Sequence, residues 1–208
     1  MQQEDIRMVT ETLKGDSEAF KPLVEKYQNR LYDLALRMTG NIHEAEDIAQ
    51  TAFIKAYASL KLYNTAHDFS NWLYTIALNI TRNRLRRLSI INFFSLERFG
   101  FPEGENAPPE PVDAHDKPEE SLTKKELLKC LDKAVRNLPV SLKEVFVLFH
   151  FHETSLNDIS IRLGISQNAV SLRLLKGRKL LYKQLAPKFP EYFKNGTHDK
   201  KEADYVKR

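Results

Sequence analysis

The chain has 208 residues, 42% of them hydrophobic, and a formal net charge of +4 at pH 7. That apolar content excludes a wholly disordered chain, and the length suffices for one or two domains with their own cores. The single cysteine, Cys130, excludes an internal disulfide framework and cannot by itself form a zinc site. No apolar run reaches transmembrane length and no signal peptide is evident, so we expect a cytoplasmic protein without stable membrane insertion.

The first part of the chain predicts an all-α domain at residues 1–88. A short helix is expected at about residues 3–14, and a longer one follows with Ser17 as its cap and Gly40 at its end. Another helix is expected to begin near Ile42. Helical spacing predicts that this helix buries Ala45, Ile48, Ala49, Ala52, Phe53, Ala56, Tyr57 and Leu60.

A third long helix, for which Ser70 is the predicted cap, has an apolar face and a polar, basic face. Leu73, Ile76, Ala77 and Ile80 are expected to face inward. The polar face consists of Thr75, Asn79, Arg82, Asn83 and Arg86. This face could be an ordinary solvated helix face or a nucleic-acid contact. The mixture of asparagine and arginine favours nucleic acid, because asparagine can hydrogen-bond base edges and arginine can contact phosphates. The preceding loop, residues 64–69, offers polar and aromatic groups to an unstacked base, although Phe69 and Trp72 also suit a core.

Composition changes after this domain. Residues 98–120 contain seven acidic residues and two basic ones, and residues 99–120 hold five of the nine prolines. We therefore expect a flexible acidic linker at residues 89–120. A second helical domain is predicted at residues 121–186, with Ser141 and Glu144 capping one of its helices, and a disordered tail at residues 187–208.

The segment SLNDISIRLGISQNAVSLRLLKGR, residues 155–178, predicts a helix-turn-helix. Ser155 caps the first helix, Gly164 suits a turn with positive φ, and Ser166 caps the second helix, with Val170 and Leu174 facing inward. The second helix of such a motif can enter the DNA major groove. Residues 156–185 carry six basic residues against one acidic, which suits a polyanion. An ordinary helical hairpin is the alternative.

The sequence contains no recognisable catalytic motif. No Walker loop or dinucleotide-binding glycine pattern occurs. His150 and His152 stand two apart, which on one helix places them on different faces and argues against a metal site. We therefore expect no enzyme activity, metal or cofactor.

Three segments together resemble bacterial RNA polymerase sigma factors of the extracytoplasmic-function subfamily within the sigma-70 family. AEDIAQTAFIKAYASL (45–60) is similar to the polymerase-binding helix, and FSNWLYTIALNITRNRLRR (69–87) to the promoter-melting helix. LPVSLKEVFVLF (138–149) and the helix-turn-helix after it are similar to the minus-35 recognition domain. The resemblance covers about residues 15–88 and 122–185.

The resemblance implies a non-catalytic factor that directs core RNA polymerase to promoter DNA, melts the promoter and initiates transcription, in a stress or envelope response, with an anti-sigma factor as a possible partner. It implies polymerase contacts by Asp47, Gln50, Thr51, Phe53 and Ile54. It implies minus-10 contacts by Asn64, His67, Asp68, Phe69, Trp72, Asn79, Arg82, Asn83 and Arg86. It implies that a helix-turn-helix at residues 156–175 contacts the minus-35 element. The residues that it assigns to this contact are Ser166, Gln167, Asn168, Ser171, Leu172, Arg173, Lys176 and Arg178. Ser171 and Leu172 replace the lysine-serine pair usual in the family.

The residues alone leave other functions open. A one-component helix-turn-helix regulator would bind its operator as a dimer without polymerase. An RNA-binding helical protein would bind RNA without polymerase, and an enzyme of unknown type lacks any supporting motif.

Overall fold

The computed structural model describes residues 2–96 and 118–193, and within them the side chains of residues 3–88 and 124–193. These ranges contain α-helices and short 3-10 turns and no strand, which confirms the all-α prediction. The helices are α1 (Gln2–Leu13), α2 (Lys21–Thr39), α3 (Ile42–Ala58), α4 (Phe69–Leu96), α5 (Pro118–Arg136), α6 (Val140–His150), α7 (Leu156–Leu163), α8 (Gln167–Leu185) and α9 (Pro190–Phe193). No helix in these ranges combines the length and the apolarity needed to cross a membrane.

The N-terminal domain is built on α2, α3 and α4, which pack against one another. Their facing sides bury leucines, alanines and aromatic rings, among them Leu31, Ala52 and Leu73. Gly40 adopts φ 70° and ends α2 with a 2.7 Å hydrogen bond from its N–H to the Leu36 carbonyl, as predicted. The same domain anchors α1 because the buried carboxylate of Asp5 accepts hydrogen bonds from Lys26 and Tyr27 of α2.

The C-terminal domain consists of α5 to α9. The caps predicted for its helix-turn-helix are confirmed: Ser155 Oγ accepts from the Asp158 N–H at 3.1 Å, and Ser166 Oγ accepts from the Ala169 N–H at 3.2 Å. Gly164 between the two helices has φ 65°. Val170 is fully buried on the inner face of α8.

Several predicted caps and boundaries are wrong. The helix expected to start at Ser17 begins at Lys21, after a 3-10 turn that Asp16 caps. Ser70 lies inside the first turn of α4, and Ser141 lies inside the first turn of α6, whose N-cap is Pro139. α4 and α6 each begin one residue before the serine predicted to cap them, whereas at Ser17 a 3-10 turn precedes the helix.

The predicted linker and tail also differ from the structure where it describes them. α4 continues to Leu96 and α5 starts at Pro118, so residues 89–96 and 118–120 are helical. Phe189 is buried and α9 follows it, so residues 187–193 are ordered rather than a tail. The remaining linker residues 97–117 and tail residues 194–208 lie outside the described ranges.

The two domains pack against each other. α2 contacts α5 and α6, and α4 contacts α7. One continuous hydrophobic cluster contains residues from both halves, including Leu31 and Leu78 from the first and Val145 and Ile159 from the second. The chain therefore forms a closed arrangement in which each domain covers part of the other.

Two glycines of the C-terminal domain predict opposite effects of the same substitution. Gly164→Ala should lower the free energy of unfolding by about 1–2 kcal/mol, because a left-handed backbone disfavours a Cβ. The site has open space, so no clash adds to the cost. Gly177→Ala should raise stability by about 0.5–1 kcal/mol, since Gly177 is helical and its nearest neighbours would stand 3.9 Å from the new Cβ.

Urea unfolding of both variants alongside the unsubstituted chain measures the difference. Equal effects of the two substitutions would contradict the assigned turn geometry.

Candidate nucleic-acid interface

The polar face of α4 carries its cations in fixed positions. Arg82 Nη1 donates to Asn79 Oδ1 at 3.0 Å, and Arg86 Nη2 donates to Asn83 Oδ1 at 3.0 Å. Asn79, Asn83 and Arg86 are exposed. Each arginine is thus held by an asparagine one turn earlier, and a guanidinium group has the donor geometry that suits phosphate or base acceptors.

The C-terminal domain covers part of the polar face of α4. Thr75 Oγ1 donates to the Arg162 carbonyl at 3.2 Å, and Arg82 Nε donates to Glu144 Oε2 at 2.7 Å. Both partners belong to the C-terminal domain. The predicted minus-10 surface is therefore partly covered by the other half of the same chain.

The loop before α4 divides into exposed polar residues and buried rings. Asn64 and His67 are exposed and Asp68 is half-buried. Phe69, in contrast, is only 1% exposed and packs with Tyr63 and Trp72. The expected contact between Phe69 and a base is wrong for this structure, because the ring fills the core beneath the loop. Trp72 is half-buried in the same aromatic cluster.

The helix-turn-helix presents the expected residues on the outside of α8. Ser166, Gln167, Asn168 and Lys176 are exposed, and Leu172 is 57% exposed. Ser171, Arg173 and Arg178 are half-buried. Gln167 Nε2 donates to Asn157 Oδ1 at 2.9 Å, which joins the two helices of the motif. A helix N-terminus with exposed amide and apolar groups has the chemistry of a major-groove contact.

α3 exposes some of the residues expected to contact polymerase and buries another. Asp47 is 69% exposed, Ile54 is 62% exposed, and Gln50 is exposed beside them. Phe53 is buried, so it can support this surface from beneath but not touch a partner directly. Tyr57, expected in the core, is instead half exposed and packs edge-on against Phe20.

Arg84 links this face of α3 to α4. Its guanidinium is hydrogen-bonded to Glu44 and lies 3.5 Å from Asp47 Oδ2. The hydrogen bond to Glu44 raises the pKa of Arg84 above its ordinary value. Asp47 thus has its position set by a neighbouring cation while most of its side chain faces solvent.

Glu144 is the central group of the contact between the two domains, and the sequence did not predict this role. Glu144, predicted to cap α6, is instead buried, with 3% of its side chain exposed. Its two oxygens accept from Arg82 Nε at 2.7 Å and from Arg173 Nη1 at 3.3 Å. The neighbouring Lys143 is also buried. A charged pair followed directly by the apolar run VFVLF was the available signal, because buried charges require partners.

The two histidines lie in different surroundings. His150 packs against Phe146 and lies near Arg178, and burial with that charge lowers its pKa to about 4. His152 lies at the domain contact, with Nδ1 3.4 Å from the Tyr74 hydroxyl and Nε2 3.4 Å from Asp33 Oδ2. Among the described side chains, no group of three or more His, Cys, Asp or Glu is placed to hold a metal.

Comparison with protein families places both domains in one class. The family model of sigma-70 region 2 matches residues 23–90, and that of sigma-70 region 4 matches residues 128–181. The first match contains α3 and most of α2 and α4, and the second contains the helix-turn-helix. Together they define a sigma-70-type transcription initiation factor.

Curated relatives narrow the class. The ECF RNA polymerase sigma factor SigW of Bacillus subtilis is 36% identical over 179 residues, which is 86% of this chain and 95% of SigW. The RNA polymerase sigma-H factor of Pseudomonas aeruginosa is 31% identical over 189 residues, 89% of this chain and 96% of that protein. The chain therefore belongs to the extracytoplasmic-function sigma factors, which confirms the family and the function in transcription initiation expected from the sequence.

Solved structures share the fold. CnrH, in complex with the cytosolic domain of CnrY, matches with a TM-score of 0.62 at 22% identity, over 88% of this chain and 98% of that chain. RpoE of Bartonella quintana, in complex with the anti-sigma factor NepR, matches with a TM-score of 0.59 at 19% identity, over 80% of this chain and 96% of that chain.

The buried His152 predicts an acid-dependent loss of stability. Burial lowers its pKa in the folded chain from 6.5 to about 4, with Asp33 opposing the shift and Arg37, Arg162 and Arg30 adding to it. The unfolded chain therefore binds the proton first, and stability falls as the pH drops from 6.5 to about 4. His152→Gln should reduce the pH dependence in that window to the part that His150 contributes through its own lowered pKa.

Urea midpoints measured across the window test this prediction, with His43→Gln, an exposed histidine of α3, as control. An unchanged pH slope in His152→Gln would show that this imidazole is not the titrating group.

Proposed function

We propose that residues 1–88 bind core RNA polymerase and the minus-10 promoter element, that residues 121–186 bind the minus-35 element, and that residues 89–120 connect the two. The observation that supports this division is that α3, α4 and α8 each present an exposed face at a separate place on the molecule. Each surface combines exposed polar or basic groups with an apolar side that is packed in the core.

The proposed polymerase contact is the outer face of α3. Asp47 and Gln50 lie one turn apart and project outward with Ile54, and Thr51 lies at the edge. A carboxylate beside an exposed isoleucine suits a partner surface that is basic around an apolar centre. Phe53 takes part only by supporting the backbone from the core.

The proposed minus-10 contact joins the loop before α4 to the polar face of α4. Arg82 and Arg86 would contact phosphates, and Asn79 and Asn83 would contact base edges. The exposed loop residues Asn64 and His67, with Asp68 and the edge of Trp72, would hold an unstacked base.

The proposed minus-35 contact is the N-terminal half of α8. Gln167, Asn168 and Ser171 would hydrogen-bond base edges, and Leu172 would contact a thymine methyl. Ser166 would contact the backbone from the N-terminus of the helix. The cations Arg173, Lys176 and Arg178 would contact phosphates.

We further propose that the chain has no catalytic activity of its own and works in the cytoplasm. Its role would be to position polymerase on DNA, which needs binding surfaces rather than a reactive centre. An anti-sigma factor is a proposed partner, as one is present in the RpoE structure of the same fold.

Asp47→Arg should abolish binding to core polymerase while leaving the fold intact. The substitution places a cation where the partner surface is proposed to be basic, which replaces attraction with repulsion worth several kcal/mol. Since Asp47 is mostly exposed, the melting temperature should change little. Glu46→Arg is the matched control, because it makes the same charge change at a neighbouring exposed position outside the proposed surface.

Affinity for core polymerase, melting by circular dichroism and run-off transcription on genomic fragments are measured on the same preparations. Unchanged affinity in Asp47→Arg would remove this residue from the contact. Operator binding by the chain as a dimer, without polymerase-dependent transcription, would favour the one-component regulator instead.

Lys176→Ala should reduce the salt dependence of promoter binding by the holoenzyme. Each lost phosphate contact lowers the slope of log affinity against log salt by about 0.9. Lys188→Ala, an exposed lysine beyond α8, is the control that should leave the slope unchanged. Equal slopes for both variants would argue against a phosphate contact at Lys176.

A further inference from the structure

The loop before α4 is an exposed segment between two buried aromatic residues. Residues 64–67 are exposed, whereas Tyr63 is 7% exposed and Phe69 is 1% exposed. Within the loop, the His67 N–H donates to the Asn64 carbonyl at 3.1 Å, which forms a local turn. The loop has no helical or strand hydrogen-bond ladder, so its shape depends on a few specific contacts with the domain beneath it.

Tyr63 makes such a contact through its hydroxyl. The ring packs in the core, 5.6 Å from the Phe69 ring at an interplanar angle of 90° and 5.2 Å from the Trp72 ring. The hydroxyl donates to the His67 carbonyl at 2.5 Å. Burial raises the pKa of Tyr63 above its ordinary value, so the phenol keeps its proton and remains a donor.

This hydrogen bond ties the exposed turn to the rigid aromatic cluster. The other side of the turn is held locally, because Asn64 Oδ1 accepts from the Ala66 N–H at 2.9 Å. A turn that is fixed in this way presents Asn64 and His67 without having to order them when a ligand arrives. Such preorganisation strengthens binding, since less of the interaction free energy is lost to ordering the loop.

Tyr27 belongs to the same aromatic cluster, but its hydroxyl has a different partner. Its ring lies 5.9 Å from the Phe69 ring. The hydroxyl donates to Asp5 Oδ2 at 2.6 Å and so joins α2 to α1. The cluster therefore contains one tyrosine hydroxyl that holds two helices together and one that holds the loop.

We propose that Tyr63 is a positioning residue for the capture of an unstacked promoter base, because its hydroxyl holds the loop in the conformation that receives the base. Tyr63 is buried and does not itself contact DNA. Asn64, His67 and the edge of Trp72 make the contact. This inference rests on the proposed assignment of the loop to the minus-10 element.

Tyr63→Phe tests the proposal, since it removes the hydroxyl and keeps the ring in the core. Water can replace the lost donor at the exposed His67, so the chain should stay folded. Tyr27→Phe is the matched control, because it removes the same atom from the same aromatic cluster without touching the loop. Circular dichroism melting and affinity for core polymerase are measured for each full-length chain.

The decisive measurement is an abasic scan of the minus-10 element. Each chain is bound to core polymerase and then to forked promoter duplexes whose non-template strand is single-stranded at minus-10. The promoter is one identified by run-off transcription, and each duplex of the series carries an abasic site at one nucleotide of that strand. The position at which the abasic site weakens binding most identifies the captured base.

For the unsubstituted chain and for Tyr27→Phe, an abasic site at that position should weaken binding by about tenfold, which is the scale of losing one base contact. For Tyr63→Phe the same abasic site should weaken binding by only about threefold, because a loop without this hydrogen bond holds the base less well. Affinity for core polymerase should be the same for all three chains.

An abasic effect in Tyr63→Phe as large as in the unsubstituted chain would overturn the positioning role. An equal reduction in Tyr63→Phe and Tyr27→Phe would also overturn it, since the effect would then belong to the aromatic cluster as a whole. If no abasic site weakens binding by the unsubstituted chain, the proposed base capture itself is rejected and this inference with it.

Discussion

The arrangement of this chain depends on a buried carboxylate that needs two cations. Glu144 lies in α6 among apolar neighbours, and its charge is compensated by Arg82 from α4 and by Arg173 from α8. Removing one partner from such a buried pair typically costs about 3–5 kcal/mol. The α8 partner belongs to the same domain, whereas the α4 partner is available only while the domains are packed. The packing of the two domains therefore completes the pairing of this carboxylate.

The same helices serve for packing and for recognition. α3 and α4 bury their alanine and leucine faces against α2, and the opposite faces carry Asp47 on one helix and Arg86 on the other. α8 repeats this division, with Val170 inside and Gln167 outside. Because an α-helix brings every third or fourth residue to one side, a single sequence can specify a core and a binding surface at once.

Features set by short-range chemistry could be predicted from the sequence. Ser155, Gly164 and Ser166 act within one helical turn of themselves, so local spacing was enough to place the helix-turn-helix. The exposure of Asp47 and Gln50 followed from the same periodicity. Where tertiary contacts determine whether a residue is buried, the sequence was insufficient to predict its position. Phe69 suited either a base or a core, and only the surrounding rings of Tyr63 and Trp72 determine that it is core.

The domain contact could not be predicted because each partner has an ordinary local explanation. Arg82 belongs to a polar helical face, and Glu144 stands three residues after Ser141, as in a capping box. Their pairing joins residues 62 positions apart, across a segment of different composition. No periodicity within either domain contains that information.

The most direct test of the sigma-factor account is run-off transcription by core RNA polymerase on the same promoter fragments with and without this chain. The account predicts specific transcripts only when the full chain is present. Promoter-specific transcripts that form equally well without the chain would contradict it.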